Sequence, residues 1–305
     1  MEYTGRYRSF FWPAVLILVG IIALLVNTGQ IPVDRLALLL NLWPVVLVVV
    51  GLEIIVRRSV RGPAGDVAGA LILVIAVVAA ATYVAVAPNP GASHVLDLSA
   101  EVGDLTEATA EVDAGGATIN VSGSTDVGAN LYRAHITYSG NRPRVNLDRS
   151  SGRLTISQQE GPFPLVVYRN FTLDLKLNPG VAWKLEINTG VSTAKLDLGG
   201  MHVGGVSLNT GASRQEITLG QPSGKVPIEI NGGALTVSVH RPGGVAVSVS
   251  VDGGAVNLTA DGQAQHAVGS ATYKTSGFDD AADGYRIEVN GGASTVTIDS
   301  ATPSG

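Results

Sequence analysis

Hydrophobic residues in this chain follow two different rhythms, one on either side of Pro88. Before it they form three near-continuous runs, over residues 10–29, 36–56 and 67–87. A helix needs about 20 mostly apolar residues to cross a hydrocarbon core of about 30 Å. Each run is therefore long enough to span once, the first only with its flanks. After Pro88 apolar and polar positions alternate, which is the period of a half-buried strand. In Val226-Pro227-Ile228-Glu229-Ile230 and Leu235-Thr236-Val237-Ser238-Val239, one face is aliphatic and the other largely polar. The pattern predicts a helical membrane module over 1–88, a linker and lead-in over 89–112, and an all-β domain over 113–300.

The β-region repeats a phrase: an alternating strand, then Asn or Asp with Gly two residues later, then another alternating strand. The positions are Asp113 and Gly115, Asn188 and Gly190, Asn209 and Gly211, Asn231 and Gly233, Asp252 and Gly254, and Asn290 and Gly292. From Gly190 to Gly254 the steps are 21, 22 and 21 residues. A fixed period near 20 is the mark of a solenoid. A second set of Gly-rich turns lies between, as at Gly220–Gly224 and Arg241–Gly244. Each rung then has two strands and two turns, and stacked rungs give a flat, two-layered β-roll. Asn and Asp cap turns through their own backbone and Gly supplies positive φ, so these twelve residues are expected to be structural turn positions. The aliphatic core is expected to be too thin for large rings, leaving Trp183 at an edge or cap. Tyr132 to Phe171 and Ala260 to Gly284 fit the phrase poorly and are expected to leave the stack.

Arginines orient the membrane module. Arg6 and Arg8 precede the first run, and Arg57, Arg58 and Arg61 lie between the second and third. The other loop holds only Arg35, beside Asp34. The positive-inside rule puts the N-terminus and the Arg57–Arg61 loop in the cytoplasm. Three crossings then leave the β-domain outside; a re-entrant third run would leave it inside. No A-x-A-like cleavage site follows the first run, so it is expected to be retained. The only charge within the second run, Glu53, fits a carboxylate near the interface or a partner contact. Trp12-Pro13 and Trp43-Pro44 each open an apolar stretch that reaches Gly eight residues after the Trp, at a spacing of 31 residues. Trp favours the interface and Pro fits a first helical turn, so the two pairs predict membrane-interface anchors.

This Trp-Pro-(apolar)-Gly repeat, over residues 9–87, resembles the LiaI/LiaF-like transmembrane region of bacterial cell-envelope stress proteins. The repeat style over 97–300 resembles toast-rack-type, adhesin-like β-domains. The resemblance implies a non-enzymatic protein of the bacterial cytoplasmic membrane that regulates or senses envelope stress. Its implied partners are the bilayer and a membrane protein such as a sensor kinase. The alternative is an adhesin-like or self-assembling surface scaffold.

Composition narrows the chemistry. The 305 residues are 46% hydrophobic and only 15% charged, with mean hydropathy +0.30, because the membrane runs carry so much of the apolar content. A net charge of −5 with no basic stripe gives no nucleic-acid footprint. With Cys 0, disulfides and thiolate chemistry are excluded. His94, His135, His202, His240 and His266 form no metal-ligand spacing and are expected to be exposed and single. No nucleophile elbow or phosphate-binding loop occurs. Neither catalytic, cofactor nor metal residues are therefore assigned. The acidic stretch from Asp97 to Asp113 is expected to be a solvated juncture.

Overall fold

A computed structural model of the chain describes residues 93–158 and 170–301. The expected helices over 10–87, with Trp12, Pro13, Trp43, Pro44, Arg57, Arg58 and Arg61, lie outside the described residues. Among the described residues no helix is long and apolar enough to cross a membrane.

The described chain forms twelve strands: β1 (His94–Glu101), β2 (Glu107–Gly123), β3 (Asn130–Tyr138), β4 (Arg144–Asp148), β5 (Arg153–Ser157), β6 (Phe171–Leu177), β7 (Ala182–Leu198), β8 (His202–Leu219), β9 (Lys225–Pro242), β10 (Val247–Ala260), β11 (Gln263–Lys274) and β12 (Gly284–Ala301). Their lateral order is β1-β3-β6-β2-β7-β8-β9-β12-β10-β11, with the β4–β5 hairpin joined to β2. From β2 to β10 along this order the neighbouring rungs are parallel and in register.

Register explains why so plain a sequence folds uniquely. Val112, Ile187, Leu208, Ile230, Val289 and Val251 stand in one file, each partnered with the next across the ladder. All six are at most 2% exposed. A one-residue slip would send a whole strand's aliphatic face to solvent, at roughly 1.5–3 kcal/mol for each large side chain. In every long rung the alternation changes phase near the Asn/Asp position. In β9 the buried set is Val226, Ile228 and Ile230 before it and Leu235, Val237 and Val239 after it. The two halves thus close on one common core.

Four expectations need correction. Residues 94–101 and 107–112, expected as linker and lead-in, already form β1 and the first part of β2. Their acidic residues occupy the outer face of an alternating strand and mask its period. Second, the rungs do not stack wholly in chain order: β12 inserts between β9 and β10. Asn290 therefore pairs with Asn231 on one side and Asp252 on the other. Third, Trp183 is fully buried, and its indole Nε1 donates to Asn178 O at 2.9 Å. Tyr132, Phe171 and Tyr285 are also buried. Trp183 and Tyr285 lie near the starts of β7 and β12, away from the Asn/Asp corners. There rings fill the core's margin; the thin centre stays aliphatic.

The fourth concerns Gly115, Gly190, Gly211, Gly233, Gly254 and Gly292. None has positive φ; left-handed glycines occur in the second turn set instead, at Gly224 (φ 78°) and Gly244 (φ 80°). At five of the six, all but Gly115, close stacking against the backbone of the neighbouring rung crowds out a side chain. A Cβ on Gly211 would stand 2.5 Å from Gly190 O, and one on Gly233 would stand 2.9 Å from Gly211 O. The two segments that fit the phrase poorly do depart from the parallel stack. They supply most of β3 with β4 and β11, which pair antiparallel, but β5 pairs antiparallel only with β4 and runs parallel to β2.

Candidate binding surface

The corner edge carries a file of side-chain amides. Asn188 Nδ2 donates to Asp113 Oδ1 at 2.8 Å, and Asn209 Nδ2 to Asn188 Oδ1 at 3.0 Å. Asn231 continues to Asn209 at 3.0 Å, and Asn290 to Asn231 at 2.9 Å. Every amide points its N–H₂ toward Asp113, which can only accept when ionised. Asp252 extends the file in register but is bonded from its own strand by Ser250 Oγ at 3.0 Å. Asp113 thus terminates the hydrogen-bonded file. Among the described residues no group of three or more His, Asp or Glu side chains is placed to hold a metal ion.

A second arrangement lies on the outer face of β1, β3 and β6. Asp97 pairs with His135, which pairs with Asp174, which pairs with Asn120 on β2. His135 Nδ1 is 2.6 Å from Asp97 Oδ1, and Asn120 Nδ2 donates to Asp174 Oδ1 at 2.6 Å. One step along the strands, Ser99, Arg133 and Lys176 make a parallel row. Lys176 Nζ reaches Asp126 Oδ2 at 3.5 Å. Asp97, Ser99, Arg133, His135, Asp174 and Lys176 line a shallow groove of about 340 Å³. Alternation places them there: in Asn130–Tyr138, Tyr132, Ala134 and Ile136 face the core and Arg133 and His135 face out. The groove offers side chains of both charge signs on a sheet.

Sequence reasoning missed this groove because the residues come from three strands, two of them in segments treated as linker or excursion. The usable signal was the alternation in Leu131-Tyr132-Arg133-Ala134-His135-Ile136. The histidines are also less isolated than expected: His240 meets Asp299 and His266 meets Asn257, each at 2.6 Å. Register causes this, parallel for His240 and antiparallel for His266, since outward residues of adjacent strands stand side by side.

Other outer-face charges are spread in rows. Arg153 Nη1 lies 2.9 Å from Glu111 Oε2 and 2.8 Å from Glu186 Oε2. Its hydrogen bonds to Glu186 and then Glu111 hold its pKa above the ordinary arginine value. Glu229 and Glu288 are direct register neighbours on the same face.

The fold defines a class: a layered, largely parallel β-domain. In agreement, a candidate cell adhesion protein from Clostridium sporogenes is 18% identical, with TM-score 0.59, covering 69% of this chain and 100% of that one. A candidate adhesin from Bacteroides fragilis is 12% identical, with TM-score 0.24, covering 69% and 98%. Residues 90–240 match the N-terminal domain of toast_rack, and residues 11–91 match the LiaF transmembrane domain. No match was found among curated proteins. The chain is thus similar to the LiaF transmembrane domain over its first part and to the N-terminal domain of toast_rack over the part that follows.

Proposed function

We propose that the protein is a non-enzymatic regulator or sensor of envelope stress. Its β-domain meets the envelope and its membrane segment passes the state of that domain to a membrane partner, such as a sensor kinase. The observation that carries this reading is the direct succession of the two matched regions, 11–91 and 90–240. With β1 beginning at His94, only a few residues separate the last apolar run from a rigid sheet. Force or occupancy on that sheet therefore reaches the membrane segment without a long flexible linker to dissipate it.

In this reading residues 10–29, 36–56 and 67–87 cross the bilayer as helices. Trp12-Pro13 and Trp43-Pro44 anchor two of them at the interfaces, and Arg57, Arg58 and Arg61 hold their loop in the cytoplasm. The N-terminus is cytoplasmic and the β-domain is outside. The groove at Asp97, Arg133, His135, Asp174 and Lys176 is the candidate contact site. The corner residues from Asp113 to Gly292 serve the sheet and bind no ligand.

The test is crosslinking in native membranes with the full chain and with a chain lacking residues 93–301, read beside an envelope-stress reporter. The shortened chain is expected to keep its membrane partner while losing the reporter response. Loss of every partner from it would make the membrane segment a passive anchor.

One feature favours a second reading, that of a self-assembling scaffold. The outer edge of β11 has no strand partner among the described residues. Lys274 is its one Lys or Arg and it contains no Pro, so charge and proline do little to block edge-to-edge pairing there. Crosslinks between copies of this chain alone would favour that reading.

A further inference from the structure

The sheet ends at β11, whose outer edge has no strand partner among the described residues. Which of its backbone groups stay free follows from the ladder it shares with β10. Thr275 N donates to Val247 O at 3.0 Å, and bonded and non-bonded pairs alternate along an antiparallel ladder. Val249–Tyr273 and Val251–Ala271 are therefore bonded pairs, while Ser270, Thr272 and Lys274 turn their N–H and C=O groups outward. The other arm of β11 leaves a two-residue hairpin turn, Asp261 (φ 46°) and Gly262 (φ 81°), closed by the pair Ala260–Gln263. Alternation from that bonded pair turns the backbone groups of Ala264 and His266 outward. One contact agrees: Gln265 Nε2 donates to Thr272 O at 3.0 Å, a carbonyl that β10 does not engage.

Side chains add a second constraint. Gln265 and Ala267 stand opposite Leu258 and Val256, and Ala271 and Tyr273 stand opposite Val251 and Val249. Cross-strand partners share a face, so these four lie on the core side. Ala264, His266, Thr272 and Lys274 are exposed. Ala267 and Tyr273 pack on the core but are only partly buried, which leaves this end of the core open. A third constraint is shape, because β11 turns the same corner as β10, with Gly269 opposite Gly253.

A strand that covers this edge must turn the corner at the same place, match its core side and face its free backbone groups. A second β11, related by a two-fold axis through Gly269, meets all three conditions. It sets Ala264 opposite the second copy's Lys274 and His266 opposite the second copy's Thr272, all with outward backbone groups. On the core side it sets Gln265 opposite Tyr273 and Ala267 opposite Ala271. Lys274, the only Lys or Arg of β11, then meets an alanine, whereas parallel pairing would set it against its own counterpart. Gly269 (φ 105°) leaves the axis open, and Val268 beside it is 90% exposed. The other end of the sheet is less suited. Strand β1 carries Asp97 and Glu101, and Glu101 O already accepts from Arg149 Nη2 at 3.1 Å.

We infer that two copies of this chain pair antiparallel through β11 about a two-fold axis at Gly269. The inference rests on the self-association reading and narrows it to a closed pair, since a two-fold contact uses the same edge of both copies.

The absence of cysteine permits a direct test with the full chain in native membranes. His266→Cys and Thr272→Cys chains, carrying different tags, are produced together and oxidised. The mixture is expected to give a disulfide-linked pair in several-fold higher yield than either variant alone, and Lys274→Cys alone should give almost none. Thr272→Lys, which charges the exposed edge, and Ser270→Pro, which removes an outward N–H, should each convert the purified cysteine-free chain from dimer to monomer by light scattering in detergent. Thr272→Lys should leave the melting midpoint unchanged, so that loss of the dimer is not loss of the fold. Copies that associate with or without Thr272→Lys overturn the inference and leave self-association standing through another surface. Efficient self-linking of Thr272→Cys alone overturns the antiparallel register. Links from it to a different protein overturn it in favour of a strand added by that protein. A chain that is monomeric throughout sinks the self-association reading as well.

Discussion

Asn231 donates from Nδ2 to Oδ1 of Asn209 at 3.0 Å, and Asn209 passes the same bond to Asn188 at 3.0 Å. Asn209 is thus both donor and acceptor in the middle of the file, while Asn290 only donates. A net hydrogen bond contributes about 0.5–1.5 kcal/mol. Asn209→Ala should therefore cost about 1–2 kcal/mol, and Asn290→Ala about half as much. Ser223→Ala, in an exposed turn, should stay within about 0.5 kcal/mol. Chemical denaturation of the three variants checks this. Equal losses at 209 and 290 would mean that the amides act singly and not as a file.

The corner glycines make a sharper prediction. Gly211 has no left-handed backbone, but a Cβ there would stand 2.5 Å from Gly190 O. Gly200→Ala meets nothing within 4 Å and should be near neutral. Gly211→Ala should destabilise by about 1–3 kcal/mol, the ordinary cost of forcing extra volume into a packed site. Indistinguishable midpoints in a melting experiment would remove close stacking as the reason for glycine.

Gln215 is the misfit in an otherwise apolar file. Its register neighbours are Ala194 and Val237, and it is 1% exposed. Nε2 donates to Ser213 Oγ at 3.1 Å, but Oε1 has no partner. An unsatisfied buried acceptor costs about 1–3 kcal/mol, whereas an apolar group of similar shape does not. Gln215→Leu should accordingly leave stability unchanged or raise it by about 1 kcal/mol. A clear loss in denaturant midpoint would show that the carbonyl has a partner in solution.

Acid should act through Asp148. Hydrogen bonds from the Ser150 and Ser151 hydroxyls, with further help from their backbone N–H groups, hold its pKa down to about 2. The folded value lies below the ordinary aspartate value of about 3.9. Its stabilising contribution is therefore present above the unfolded pKa and is lost as pH falls toward 2. An NMR titration should give a midpoint near 2 for Asp148. Ser150→Ala combined with Ser151→Ala should move that midpoint up toward the free-aspartate range and flatten the acid limb of the melting profile. An unchanged midpoint would assign the depression to something other than these hydroxyls.

Much of the sheet was legible because its register repeats in sequence. Asn188, Asn209 and Asn231 are evenly spaced in the chain and adjacent in space, so period alone places them in one file. Asn290 breaks that correspondence. It continues the phrase in sequence after Asp252, yet sits before Asp252 in the sheet. Parallel rungs with the same local pattern can be interleaved in either order, and local periodicity holds no record of the choice. The groove was invisible for a related reason. Asp97, His135 and Asp174 are brought together by antiparallel pairing of β1 and β6 with β3, and no fixed spacing in sequence encodes such pairing. Trp183 was misplaced because core width was inferred from the aliphatic centre, whereas the ring fills the margin.

Orientation is the last expectation, and it follows from charge. Arg57, Arg58 and Arg61 share one short loop, while Arg35 stands beside Asp34 in the other. Translocating a positively charged loop against the membrane potential is unfavourable, so the triple-arginine loop should stay in the cytoplasm. An odd number of crossings should then carry the β-domain outside. With no native cysteine, single replacements report cleanly. Ser59→Cys should react with a membrane-impermeant thiol reagent only after lysis. Ser223→Cys, exposed in the turn before β9, should react in intact cells whose outer barrier admits the reagent. Replacing Arg57, Arg58 and Arg61 together by Gln should allow both orientations and make labelling at each site partial. Protection of Ser223→Cys in the parent background would mean that the third run does not cross. The β-domain would then face the cytoplasm, and any response to envelope state would have to pass through the bilayer.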